Sequence, residues 1–152
     1  MKVIKQQGFT LIELVIVIII LGILAVTAAP KFLNLQTDAR VSTLSGLEAA
    51  LKGGANLVYS KAAIAGVERQ PSDSVSDSGN TINTVFGYPE ANASYQFWVD
   101  ANTNDWWADP QGTTITFRPS SVASDANCTV VYTEAADANT PATTAIGLTD
   151  GC

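Results

Sequence analysis

Few residues in this chain have types and spacings that could do chemistry. There is no histidine among its 152 residues, which removes histidine-based triads and histidine metal sites. The sequence shows no phosphate-cradling glycine loop, no dinucleotide fingerprint and no cysteine beside a base. No spacing singles out a carboxylate pair, so an enzyme is the poorest of the candidate classes. Three features remain: Glu13, the cysteines Cys128 and Cys152, and the alternating Asp100, Asn102 and Asn104.

Glu13 is the one charge between Phe9 and Ala29, a run of Leu, Ile, Val and Ala. As a helix at about 1.5 Å per residue this run spans about 31 Å, enough for a hydrocarbon core. In a plain membrane anchor the acid has no purpose and costs about 3 kcal/mol at the helix centre, less near an end. A secretory signal peptide, with "VTA" before Ala29 as its cleavage site, would hold the acid inside an overlong apolar stretch. A cut after Gly8 makes better sense of it. Phe9 would then carry a free amine, with Glu13 four residues on at the positive end of the helix dipole. In a bundle of copies, Glu13 of one chain could pair with the Phe9 amine of its neighbour and pin the register.

"KQQGFTLIELVIVIIILGILAVTAAPKF" resembles the N-terminus of type IV pilins and pseudopilins. The matching parts are a short basic leader ending in Gly8, then Phe9-Thr10-Leu11-Ile12-Glu13, then the apolar helix. The resemblance implies that a prepilin peptidase cuts between Gly8 and Phe9 and N-methylates Phe9, and that Glu13 guides assembly. It also implies that the helix can lose hydrogen bonds between Gly22 and Pro30 in an assembled fibre, with Thr27 helping to satisfy freed carbonyls. "INTVFGYP" and "CTVVYTEA" further resemble the mannose-sensitive haemagglutinin branch of pilins.

The elements that must position these residues follow from pattern. Leu44, Leu47, Leu51, Ala55, Val58 and Ala62 recur every three or four positions, an amphipathic helix that Gly66 can stop. If continuous from Phe9 to Gly66, it makes a rod of roughly 85 Å. Pro30 predicts a kink, Gly22 a weak point, and Gly53-Gly54 either a weak point or a close approach of the sheet. Residues 67–94 read as a polar loop with a short helix near 82–86. Strands are expected over 94–100, 113–119 and 128–135, where apolar and polar residues alternate. The fold class is therefore α+β, a long N-terminal helix against a small antiparallel sheet, and the resemblance implies that this is the type IV pilin fold.

The division expected is a leader over 1–8, a membrane or filament-core helix over 9–30, an amphipathic helix over 31–66 and a sheet domain over 67–152. The small polar distal domain calls for a staple, and Cys128 with Cys152 suggests one disulfide formed in an oxidising compartment. Closing that loop contributes about 3–4 kcal/mol in the chain-entropy account.

"DANTNDWWADP" opens like a calcium loop but has Asp105 where glycine is needed and Gln111 at the closing position, so it reads as a polar turn and no metal is expected. Trp98, Trp106 and Trp107 are read as core or subunit contacts in preference to a sugar platform. Asn92-Ala93-Ser94 and Asn127-Cys128-Thr129 match a glycosylation sequon, a weak signal.

Acids outnumber bases 14 to 8, and Lys2 and Lys5 precede the apolar run. A nucleic-acid partner is not expected. The basic residues before the run place the N-terminus in the cytoplasm and the remainder outside. Together these readings point to the major subunit of a type IV pilus. It would wait in the inner membrane and then polymerise with its own copies into a cell-surface filament for attachment, adhesion and biofilm formation. Prepilin peptidase and an inner-membrane assembly machinery are the implied partners, and no cofactor is expected. A type II secretion pseudopilin and an anchored lectin-like module are the alternatives.

Overall fold

The structure, a computed structural model, describes residues 8–124 and 127–152. Lys2, Lys5 and the leader before Gly8 lie outside the described residues. One long helix, α1 (Leu11–Ala65), is followed by seven short strands and a 3-10 turn. By packing, the chain divides into two units between Thr37 and Asp38.

The first unit contains the N-terminal part of α1. Its apolar side chains are open among the described residues: Leu11, Ile16, Ile20, Leu24 and Val26 are all exposed. This stretch is long and apolar enough to cross a membrane. α1 runs on through Gly22 and Pro30. Thr27 Oγ1 donates back to the carbonyls of Ile23 and Leu24 at 3.3 and 3.1 Å.

In the second unit α1 buries one stripe. Leu44, Leu47, Leu51, Ala55, Val58 and Ala62, the positions predicted from spacing, are all buried. The helix ends in a Schellman motif: Gly66 has φ +74° and its N–H donates to Ala63, while Val67 N–H reaches the Ala62 carbonyl. Glycine adopts that left-handed backbone without the Cβ penalty of other residues.

Two antiparallel sheets complete the unit. The first has β1 (Asp73–Asp77), β2 (Asn80–Val85) and β3 (Tyr88–Pro89), in that order. The second is a meander of β4 (Trp106–Gln111), β5 (Thr114–Pro119), β6 (Val130–Thr133) and β7 (Thr143–Ile146). In its centre Ile115 faces Tyr132 and Phe117 faces Val130, all four buried. Their alternation with less buried neighbours is the period of a sheet with one covered face.

Two expectations fail here, and two strands were not anticipated. Residues 67–94 are not a loop with a helix near 82–86, because Asp73–Val85 forms the β1–β2 hairpin. Ser78 and Gly79, with φ 50° and 86°, make the tight two-residue turn that matches strand twist. One face of this hairpin is solvated, so Val75, Ile82 and Thr84 suffice for the buried side. Residues 94–100 are not a strand: Ala93–Phe97 is a 3-10 helix whose Asn92 side chain accepts from Ser94 N–H at 2.8 Å. Tyr95, Trp98 and Val99 are buried and Phe97 is not, a spacing of three and four in place of two. Finally, β4 and β7 were not foreseen. β4 carries Asp109 and Pro110, which read as turn residues but are tolerated at the edge of a sheet.

Candidate functional site

The residues with a predicted role at the N-terminus meet at the first turn of α1. Thr10 precedes the first helical residue, and its N–H and hydroxyl both donate to Glu13 Oε2 at 2.8 Å. Glu13 N–H donates in return to Thr10 Oγ1 at 3.3 Å, and the first helical bond runs from Leu14 N–H to the Thr10 carbonyl. This is a reciprocal capping box, which satisfies two donors that a helix start otherwise leaves bare. The signal was present in the sequence, since T-L-I-E has the Thr-x-x-Glu spacing ahead of an apolar run. The acid therefore has a role in the single chain as well as the one expected between chains. Phe9, before the cap, is almost wholly exposed at 94%.

The surface that follows is apolar and continuous. Side chains from Leu11 to Val26 lie open, and Glu13 is the one ionisable group among them. Such a helix is stable in lipid, or packed against other apolar helices, and is out of place in water.

Cys128 and Cys152 are joined by a disulfide with a Cα–Cα distance of 4.9 Å, both residues being buried. Arg40 of α1 donates through Nη1 to the Cys152 carbonyl oxygen at 2.5 Å. The staple thus ties the chain after β7 both to the base of β6 and to the helix. Nothing in the sequence marked Arg40 for this, because its partner lies 112 positions away.

Asp100, Asn102 and Asn104 form a turn. Asn102 Oδ1 accepts from Asn104 N–H at 2.9 Å, and the Asn102 carbonyl accepts from Asp105 and Trp106. Trp98 is core and stacks at a tilt on Tyr132 with centroids 5.0 Å apart. Trp107 is exposed on one side and covered on the other by the Arg118 guanidinium, 4.7 Å from its ring centre. Gly54 explains part of the Gly53-Gly54 pair: an added Cβ there would strike the Trp98 carbonyl oxygen. The element that approaches closely is the 3-10 turn and its C-cap, and not a strand.

The match to a known family falls on the same N-terminal segment. Residues 4–29 match the family model of the prokaryotic N-terminal methylation motif. That motif is the segment in which this chain is similar to type IV pilins. The chain is 44% identical over 48 residues to the type IV narrow pilus major component PilA5 of Thermus thermophilus, covering 32% of this chain and 41% of that one. The fimbrial protein EcpC of Eikenella corrodens is 44% identical over 55 residues, 36% of each chain. The type II secretion system core protein G of Pseudomonas aeruginosa is 43% identical over 42 residues, 28% of this chain and 30% of the relative. The matched stretch thus spans about two fifths or less of these curated relatives. No solved structure matches. The relatives are components of pili, fimbriae and a secretion system, and the methylation motif with the apolar helix of this chain fits a membrane-anchored precursor.

Proposed function

We propose that this chain is the major structural protein of a type IV pilus. In this reading residues 1–8 are a leader removed between Gly8 and Phe9, and Phe9 is N-methylated. Residues 9–30 hold the subunit in the inner membrane and then form the filament core. Residues 31–66 and 67–152 make the outer, disulfide-closed body, with Gly22 to Pro30 as the stretch able to melt. The observation that carries the reading is the open apolar face of Leu11 to Val26 headed by the capped Glu13. Lipid covers that face before assembly and copies of the same helix cover it afterwards. A head-to-tail contact that does not close yields an open fibre. Surface attachment and biofilm formation would follow from such a fibre, and the likeness of "INTVFGYP" and "CTVVYTEA" to the mannose-sensitive haemagglutinin branch is part of the same proposal.

The second reading, a pseudopilin of a type II secretion system, is favoured by the match to core protein G. Intact mass separates them. Protein sheared from the cell surface should lack Met1 to Gly8, carry one added methyl group, and gain two hydrogens on reduction. The mature species found only in membranes would support the pseudopilin, and a mass beginning at Ala29 would end both readings. In the pilus reading, Glu13→Ala abolishes filaments while the membrane-bound subunit persists.

A further inference from the structure

Arg118, near the end of β5, is only 7% exposed, and among the described residues it is the one charged side chain buried so deeply. Its Nη1 donates to the Val122 carbonyl, and its guanidinium rests on the Trp107 ring. Nε is buried with no hydrogen-bond partner among the described residues. The described ion pairs are Lys52 with Glu48 and Lys61 with Asp77, so no described carboxylate answers the Arg118 charge. A buried guanidinium ordinarily holds a carboxylate or spends its donors on carbonyls, because a buried charge without partners is unfavourable. Here one end of the fork is anchored and the other end lacks an acceptor.

This guanidinium borders a cavity of about 310 Å³ beside the edge strand β4, at the small end of the range for small-molecule sites. Trp106 and Trp107 line it with apolar ring surface, and Trp107 is 45% exposed. Thr103 and Ser120 add two hydroxyls, and Arg118 is the one charged side chain among the described residues that line it. The wall is formed in advance. Ser120 N–H donates to the Asp105 carbonyl at 2.8 Å and Ser120 Oγ to the Asn104 carbonyl at 2.7 Å, tying the 102–106 turn to the end of β5. Tyr95, also in the wall, packs edge-on against the buried Phe117 with centroids 5.2 Å apart.

We infer that this cavity binds an acidic sugar, a single hexuronate ring. Its carboxylate accepts from the Nε and Nη2 N–H pair, on the side of the Arg118 fork away from Val122, where two parallel donors match two carboxylate oxygens. The apolar C–H face of the ring lies on indole, and its hydroxyls bond to Ser120 and Thr103 at the rim. A neutral sugar leaves Arg118 unanswered, and a bare anion leaves the indoles uncovered. The sequence favoured core or subunit contacts for all three tryptophans; Trp98 is core, whereas Trp106 and Trp107 stand at this cavity. The lining residues lie between Tyr95 and Ser120, so the inference holds for a pilus subunit and a pseudopilin alike.

The test uses the full-length protein in a polyoxyethylene detergent, which carries no sugar. The indole N–H signals of the three tryptophans are followed by NMR as glucuronate, galacturonate or mannuronate is added, with glucose, galactose, mannose and acetate titrated in parallel. The Trp106 and Trp107 signals should move and saturate with at least one uronate, while Trp98 stays still. The matching neutral sugar and acetate should each bind at least ~10-fold more weakly. Arg118→Lys keeps the charge without the fork and should weaken uronate binding by about 10-fold, as should Trp107→Ala. The inference is overturned if no uronate gives saturable shifts, or if the neutral sugar binds as tightly as its uronate. Acetate binding as tightly as the uronate would mean a simple anion site and would also overturn it. So would undiminished uronate affinity in Arg118→Lys, its fold checked by an unchanged Trp98 signal.

Discussion

The Tyr132 hydroxyl donates to the Pro89 carbonyl oxygen at 2.6 Å, and both residues are buried. The bond links β6 to β3 and so joins the two sheets. A second link runs beside it, from Ala91 N–H to Glu134 Oε2 at 2.7 Å. Tyr132→Phe keeps the ring against Trp98 but leaves the Pro89 carbonyl without its partner. The expected loss is about 1–3 kcal/mol, visible as a lower melting temperature.

The same phenol has an alkaline signature. Burial pushes its pKa above the usual tyrosine value, and the nearby Glu134 and Tyr88 push it further in the same direction. A raised folded-state pKa means stability that is intact below the unfolded value near 10 and is lost as pH rises past it. Unfolding curves measured from pH 8 to 11 should show this fall, and Tyr132→Phe should lessen it.

Acid should loosen the β1–β2 hairpin. The Lys61 ammonium, by its hydrogen bond and then its charge, holds the Asp77 carboxyl below the usual carboxylate range. A depressed pKa gives stability that is present above the unfolded value near 4 and disappears as pH falls through the folded one. The pair is well exposed, so the effect is modest. An NMR titration of Asp77 should move upward in Lys61→Met, and an unchanged midpoint would show that the pair does not set it.

Gly54→Ala should destabilise the protein although the position lies inside a helix. Alanine favours the helix, but its Cβ meets the Trp98 carbonyl oxygen and lies 3.1 Å from the indole. Overpacking of this kind costs about 1–3 kcal/mol and exceeds the gain in propensity. Thermal unfolding of the full chain in detergent checks the sign, which should be negative here.

Thr10→Ala removes both donors to Glu13 and the acceptor for its N–H. Loss of such a cap costs about 1 kcal/mol of helix stability. Amide exchange over residues 11–14 in micelles should accelerate, and Thr10→Ser should restore protection.

Much of this protein follows from short-range pattern alone. An apolar run with one acid, and a stripe of Leu, Ala and Val repeating every three or four positions, determine α1 because helical periodicity is local. The predicted buried positions Leu44 to Ala62 are the observed ones for that reason. The central strands β5 and β6 were legible in the same way, through alternation at period two. The single cysteine pair left one partner for each sulfur, and the Thr-x-x-Glu cap was there to be read.

What only the tertiary structure decided depends on partners far along the chain. "SYQFWVD" alternates like a strand, yet it folds as a 3-10 turn because Asn92 caps it and Gly54 opens room for Trp98. The polar hairpin β1–β2 and the edge strands β4 and β7 need few apolar residues of their own, since each covers only one side of a core supplied by others. Arg40 reaching Cys152 and Tyr132 reaching Pro89 have no local signature at all. Sequence records which side chains a residue follows; packing decides which ones it meets.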